Sequence, residues 1–204
     1  MKTNKKKFIY LISPNKINKS FYKNLIQVFK LNKTSFFQLR LKKESLKNKI
    51  KIGLKIKKIC KKYNVKFLIN DDPFLSKKIN ADGCHLGQND MHIDDAKKII
   101  KNKIIGITCH NSIKLAKNAI KNKANYIAIG AFGSSTTKKV KFKAKIDLLK
   151  KIKKIANIQI TAIGGINNLN FRKLLLNKAD FLAISGYVWN NKKLKPVEAI
   201  KKLL

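Results

Sequence analysis

Eight short apolar runs recur along the 204 residues, each followed by a stretch with helical spacing, and that alternation leaves the chain few folds to choose from. The runs are Phe8–Ser13, Ser35–Arg40, Lys66–Asn70, Gly83–Leu86, Ile104–Cys109, Tyr126–Gly130, Ile158–Ile163 and Phe181–Ser185. They are rich in β-branched and aromatic residues and apolar nearly throughout, as parallel strands covered on both faces are. The stretches between them place apolar residues at helical intervals, as in Leu46, Ile50, Leu54 and Ile56 to Ile59, or Ile113, Leu115, Ala116, Ala119 and Ile120. Ser112 before Ile113 and Asn168 before Leu169 read as N-caps. Eight strand–helix repeats in so short a chain predict an α/β fold, a (β/α)₈ barrel in preference to an open doubly wound sheet. No Gly-, Ser- or Pro-rich linker divides the chain, so residues 1–204 are expected to form a single domain.

The formal charge of +38 would ordinarily point to nucleic acid or an anionic membrane surface. The lysines, however, are spread along the whole chain in pairs such as Lys57-Lys58, Lys97-Lys98 and Lys201-Lys202, on what read as outer helix faces, with no basic tail. Little aromatic interleaving accompanies them, so no specific nucleic-acid partner is expected, only salt-sensitive, nonspecific adhesion. Of 48 basic residues only Arg40 and Arg172 are arginine, a pattern that reads as drift toward A/T-rich codons. An arginine that survives such drift is a candidate for work that needs a planar, bidentate fork, such as holding phosphate oxygens.

Cys60, Cys84 and Cys109 show no zinc-ligand spacing and are too few for a disulfide framework. The apolar run Phe8 to Ile12 is shorter than a signal-peptide core, and no run approaches a membrane span. The expectation is a soluble, cytoplasmic protein with no membrane partner.

In a barrel, residues just past the strand ends meet on one face. After the second strand, alternation puts Gln38, Arg40 and Lys42 on one side of the chain. The third strand ends in Asn70-Asp71-Asp72, which serves either as a helix cap with a spare carboxylate or as half of a cation site. Asp90, past the fourth strand, is the other half, and two carboxylates completed by water and phosphate oxygens suit Mg²⁺. His85 reads as a packed, hydrogen-bonded histidine. Thr108 and His110 share a side at the end of the fifth strand, while the adjacent Cys109 and His110 do not form a nucleophile dyad. The loop Gly130 to Lys138, with Ser135, Thr136 and Thr137 closed by Lys138, offers hydroxyl and amide donors to an anion. Gly164-Gly165 after the seventh strand and Ser185-Gly186 after the eighth form the usual barrel phosphate cradle. Two anion sites at one mouth point to two phosphorylated small-molecule substrates that condense with loss of diphosphate.

In order along the chain, Gln38-Leu39-Arg40-x-Lys42, Asn70-Asp71, His85-Leu86-Gly87-Gln88-x-Asp90, Ser135-Thr136-Thr137-Lys138, Gly164-Gly165-Ile166 and Ile184-Ser185 resemble the motifs of the thiamine phosphate synthase family. That resemblance implies a transferase of thiamine biosynthesis. It would join 4-amino-2-methyl-5-pyrimidinylmethyl diphosphate to 4-methyl-5-(2-phosphoethyl)thiazole, with the diphosphate leaving first and the thiazole nitrogen capturing the resulting cation. It implies that Gln38, Leu39, Arg40, Leu41, Lys42, Asn70, Thr108 and Lys138 contact the pyrimidine diphosphate, with Arg40, Lys42 and Lys138 acting on the leaving group. Asp71 and Asp90 would hold Mg²⁺. Ser135, Thr136, Thr137, Gly165, Ile184 and Ser185 would contact the thiazole phosphate. Departures from the family pattern are Asp72 for arginine, Thr108 for serine, Ser135 for threonine, and Ala131, Gly133 and Ser134 for a Pro, Phe and Pro. The rival readings are a thiazole tautomerase on the same barrel, which needs no metal–diphosphate site, and a nonspecific basic nucleic-acid binder. The sequence leaves the oligomeric state open.

Overall fold

The eight runs become eight parallel strands, β1 (Ile9–Ile12), β2 (Thr34–Leu39), β3 (Lys66–Asn70), β4 (Gly83–Leu86), β5 (Ile104–His110), β6 (Tyr126–Gly130), β7 (Gln159–Ile163) and β8 (Phe181–Ile184). The computed structural model describes residues 7–134 and 140–204. Each strand pairs with its successor, and β8 returns to β1 through Ile9–Leu182, Tyr10–Ala183 and Leu11–Ile184, so the sheet closes. An open doubly wound sheet would leave two unpaired edges and is excluded. The outer ring is α1 (Lys19–Lys30), α2 (Leu46–Lys62), α3 (Pro73–Lys78), α4 (Ile93–Ile100), α5 (Ile113–Lys121), α6 (Asp147–Ile155) and α7 (Phe171–Leu176), with α8 (Gly186–Trp189) and α9 (Pro196–Lys201) after the last strand. Strand ends differ slightly from the sequence expectation. Phe8, Ser13, Arg40, Ile158 and Ser185 lie outside the strands, while Thr34 and His110 lie inside.

Alternation along each strand separates two cores. Tyr10, Ile12, Phe36, Leu68, Tyr126, Phe181 and Ala183 fill the barrel interior. Ile9, Leu11, Phe37, Leu39, Phe67, Ile69, Ile127, Ile129 and Ile184 face outward and bury the helices' apolar stripes. Interior volume is shared between large and absent side chains. A Cβ on Gly106 would sit inside the ring of Tyr126, so the glycine of β5 leaves room for the tyrosine of β6.

Helix α2 packs through Gly53, Ile56 and Cys60, not through the whole face that its spacing suggests, and Leu46 and Leu54 are exposed. Gly53 explains the choice, because a Cβ there would lie 2.9 Å from Ile79 Cδ1, and without one the helix can approach closely. Ser112 caps α5 as expected, its hydroxyl accepting from the Leu115 amide. Asn168 does not cap α7. The helix begins at Phe171, and Asn167 and Asn170 instead close a turn in which the Asn167 amide donates to Asn170 Oδ1 and the Leu169 amide to Asn167 Oδ1. Such asparagine side chains compete with the helix for local backbone donors and delay its start. Among the described residues no helix is long and apolar enough to cross a membrane.

Candidate active site

The C-terminal ends of the strands surround one cavity of about 930 Å³. Gln38, Arg40 and Lys42 all line it, so the alternation read after β2 holds past the end of the strand. Leu39 and Leu41 point the other way and are buried in the outer core, leaving only their backbone near the mouth. The Arg40 amide donates to Ser13 Oγ and its guanidinium to Asn15 Oδ1 at 3.3 Å, which ties the end of β2 to the loop after β1.

The two carboxylates after β3 divide their duties. Asp72 caps α3, accepting from the Leu75 amide at 2.9 Å, so the residue that departs from the family pattern serves the helix. Asp71 turns into the mouth, where its Oδ2 lies 2.9 Å from Lys42 Nζ. Asp90, past β4, accepts the Gly87 amide at 2.6 Å and comes within hydrogen-bonding reach of Asp71. Burial alone would raise the pKa of Asp71, but Lys42 and the contact with Asp90 outweigh it and hold that carboxyl below its ordinary value. Asp90 is raised, first by burial and then by the carboxylate beside it. Two oxygen-donor side chains in contact, at an open mouth, are a donor set for a hard cation that keeps water and ligand oxygens as its remaining partners. Among the described residues no group of three or more His, Cys, Asp or Glu is arranged to hold a metal, so any cation here would rest on these two carboxylates.

On the opposite rim, Gly164 and Gly165 both have positive φ, +88° and +66°, and make the turn after β7. The segment after β6 lies directly on this turn, with the Phe132 amide donating to Gly164 O at 3.0 Å. Ser185 follows β8 and lines the cavity, its hydroxyl donating to Ser13 O at 3.1 Å. Ile184 contributes to the lining although its side chain belongs to the outer core. Thr108 and His110 both line the mouth, but a register shift between them and a positive φ at His110 break simple alternation. His110 packs on Phe142 with ring centroids 4.4 Å apart. Ser135, Thr136, Thr137 and Lys138 lie outside the described residues.

Beneath the mouth runs a hydrogen-bonded string that joins Gln38, Tyr10, Tyr126, His85 and Thr108. His85 is the packed histidine expected, 7% exposed, and burial pushes its pKa down to about 4, so the ring is neutral. Tyr10 and Tyr126 were not among the site candidates read from sequence. The signal was present, since a tyrosine within an apolar strand must find a buried partner for its hydroxyl.

The closed barrel and a mouth lined by guanidinium, ammonium, paired carboxylates and a double-glycine turn define a (β/α)₈ protein with a charged site at the C-terminal ends of its strands. Residues 9–188 match the family model for thiamine monophosphate synthase. The chain is 65% identical to the thiamine-phosphate synthase of Pelagibacter ubique over the full length of both. It is 37% identical to that of Methanococcus maripaludis, over 83% of this chain and 82% of the relative. The solved thiamine phosphate pyrophosphorylase of Pyrococcus furiosus superposes with a TM-score of 0.84 at 26% identity, covering 97% of this chain and 93% of that one. This chain therefore belongs to the thiamine monophosphate synthase family.

Proposed function

We propose that this barrel mouth makes thiamine phosphate by joining a pyrimidinylmethyl diphosphate to a thiazole phosphate with release of diphosphate. The observation that carries the reading is the division of one cavity into a charged rim after β2, β3 and β4 and a glycine-and-serine rim after β7 and β8. The diphosphate belongs to the first rim. There Arg40 offers a bidentate fork and Lys42 a mobile ammonium, both suited to the charge that gathers on the departing group. Asn70 lines the same wall. Asp71 and Asp90 would hold Mg²⁺, which when bound neutralises diphosphate oxygens and favours their departure.

The thiazole phosphate belongs to the second rim. The Gly164-Gly165 turn lets backbone approach an anion closely, Ser185 would turn its hydroxyl from Ser13 O to the ligand, and Ser135, Thr136 and Thr137 are assigned to the same ligand from the sequence. Leu39, Leu41 and Ile184 would contribute backbone only. The chain's task in a dissociative reaction is to hold the two substrates in line and keep water from the cation between them. No protein nucleophile is needed, and the buried thiols of Cys60, Cys84 and Cys109 fit that: burial raises the pKa of each, Cys84 and Cys109 to about 12. The test is to incubate purified protein with both substrates and follow thiamine phosphate and diphosphate, with Mg²⁺ and with EDTA. Absence of product with Mg²⁺ present would sink the reading, and full activity in EDTA would remove the metal from it.

A further inference from the structure

The buried middle of the polar string under the mouth, Tyr10, Tyr126 and His85, has no role in the chemistry outlined above, yet both ends of the string line the cavity. Gln38 Nε2 donates to the Tyr10 hydroxyl at 2.9 Å, and the Tyr10 and Tyr126 hydroxyls meet at 2.7 Å. The Tyr126 hydroxyl meets His85 Nδ1 at 2.8 Å, and His85 Nε2 meets Thr108 Oγ1 at 2.8 Å. Tyr10 and Tyr126 are each 1% exposed. Tyr126 is held in place by stacking on His85, with centroids 5.6 Å apart at 21°, and by the space above Gly106.

Each link of such a string takes one hydrogen, so its links cannot be set independently. With Gln38 donating, the Tyr10 hydrogen must point to Tyr126 and the Tyr126 hydrogen to Nδ1 of His85. The imidazole then carries its proton on Nε2 and donates to Thr108. The hydrogen left over is that of the Thr108 hydroxyl, and the acceptor left over at the other end is Oε1 of Gln38. Reversing any single link would leave two hydrogens in one contact or none in another, at the cost of an unmade bond in a buried site, and only reversing all four together, with the Gln38 amide turned over and the imidazole proton on Nδ1, restores one hydrogen to each contact.

We propose that Tyr10 and Tyr126 are positioning residues that fix the polarity of this string, so that Thr108 meets the substrate as a hydrogen-bond donor and Gln38 meets it as an acceptor. The ligand edge that fits carries an acceptor and a donor, as the ring nitrogen and amino group of an aminopyrimidine do. This last step rests on the reading that the pyrimidine diphosphate binds at this end of the mouth, whereas the polarity itself does not.

The experiment uses the whole, ligand-free protein labelled with ¹⁵N-histidine, in which only His85, His92 and His110 report. His92→Gln and His110→Gln identify the remaining signal. At neutral pH His85 should be a single neutral tautomer with the proton on Nε2. Tyr126→Phe removes the donor to Nδ1 and should give a mixture of tautomers. It should lower kcat/KM for the pyrimidine diphosphate about tenfold, the loss of one oriented hydrogen bond, while KM for the thiazole phosphate stays near wild type. Tyr10→Phe, which cuts the string one link earlier, should also release the tautomer, and it serves if Tyr126→Phe does not fold. A proton on Nδ1 or on both nitrogens in the wild type would overturn the proposal, as would wild-type kinetics with an unchanged spectrum in both variants. If the Nε2–H tautomer is found but the protein makes no thiamine phosphate, the functional reading falls and the polarity stands.

Discussion

Replacing Gly165 by alanine tests whether the cradle after β7 works by admitting phosphate or by seating the loop after β6. Gly165 sits at φ +66°, and a Cβ there would lie 2.5 Å from both the Cα and the carbonyl oxygen of Gly133, and closer still to its carbonyl carbon. The obstruction is backbone, which no side-chain rotation relieves. The loop must recede by about 1 Å to restore an ordinary contact of roughly 3.5 Å. That movement opposes the hydrogen bond from the Phe132 amide to Gly164. Left-handed backbone for a residue with a Cβ costs about 1–2 kcal/mol, and forced overpacking about 1–3 kcal/mol more, so a loss of roughly 2–5 kcal/mol is expected. In a chain of this size that lowers Tm by roughly 4–20 °C. A 1 Å displacement of a wall of the site should cost on the order of 100-fold in kcat/KM. Calorimetry and steady-state kinetics with both substrates read the two effects. If only phosphate access mattered, the methyl of Gly165→Ala would be mild and Gly165→Val severe. Wild-type Tm and kcat/KM in Gly165→Ala would therefore refute the argument from loop packing.

Arg40→Lys keeps the charge but loses the fork and the contact to Asn15, and kcat should fall by about 10- to 100-fold, or roughly 1.4–2.7 kcal/mol; unchanged kcat would make the guanidinium dispensable. Burial lowers the pKa of His85 from 6.5 to about 4. The unfolded chain therefore binds more protons between those values, and stability is lost as pH falls from 6.5 toward 4, by about 3 kcal/mol from this residue. Comparing urea unfolding at pH 7 and pH 4.5, His85→Gln should lose less stability than wild type, and an equal loss in both would contradict the assignment. Thr161 Oγ1 is buried in the barrel with no hydrogen-bond partner. Thr161→Val keeps the shape and removes the unsatisfied hydroxyl, so it should stabilise by about 1 kcal/mol, and a destabilised variant would show that the hydroxyl is served by water.

The barrel was legible because eight apolar runs and eight amphipathic stretches allow little else, and the rim was legible because a barrel's functional residues follow its strands. Gln38, Arg40 and Lys42 were readable from alternation alone. Other features depend on distances the sequence does not contain. The cap on α7 was misplaced because Asn167, Asn168 and Asn170 are equally good acceptors locally, and only the folded turn chooses among them. The exposed Leu54 looked like core until the close approach at Gly53 set which stripe of α2 faces inward. Leu39 and Leu41 fall within a binding motif, but strand alternation sends their side chains outward. The string through Tyr10 and Tyr126 joins residues 116 positions apart, and no local pattern reports it.

The ten acidic residues of this lysine-laden chain show what has been kept and why. Asp72, Asp82, Asp90, Asp180 and Glu198 each accept a backbone amide, and Asp94, Asp95 and Asp147 occupy first turns of helices. Glu44 accepts from the Asn48 side chain on the surface. Asp71 differs, because among the described residues its carboxylate meets Lys42 and Asp90 and no backbone amide, and its own backbone sits at φ +64°. Asparagine adopts that conformation at least as readily. The partly exposed pair with Lys42 is worth less than about 1 kcal/mol, and removing one of two adjacent carboxylates relieves repulsion. Asp71→Asn should therefore leave Tm unchanged or slightly higher while removing most turnover. Thiazole-phosphate affinity should be kept, since that ligand is assigned to the opposite rim. Calorimetric unfolding, titration with the thiazole phosphate and turnover with both substrates separate these effects. A fall in Tm of several degrees would make Asp71 a structural residue, and retained turnover would remove it from the site.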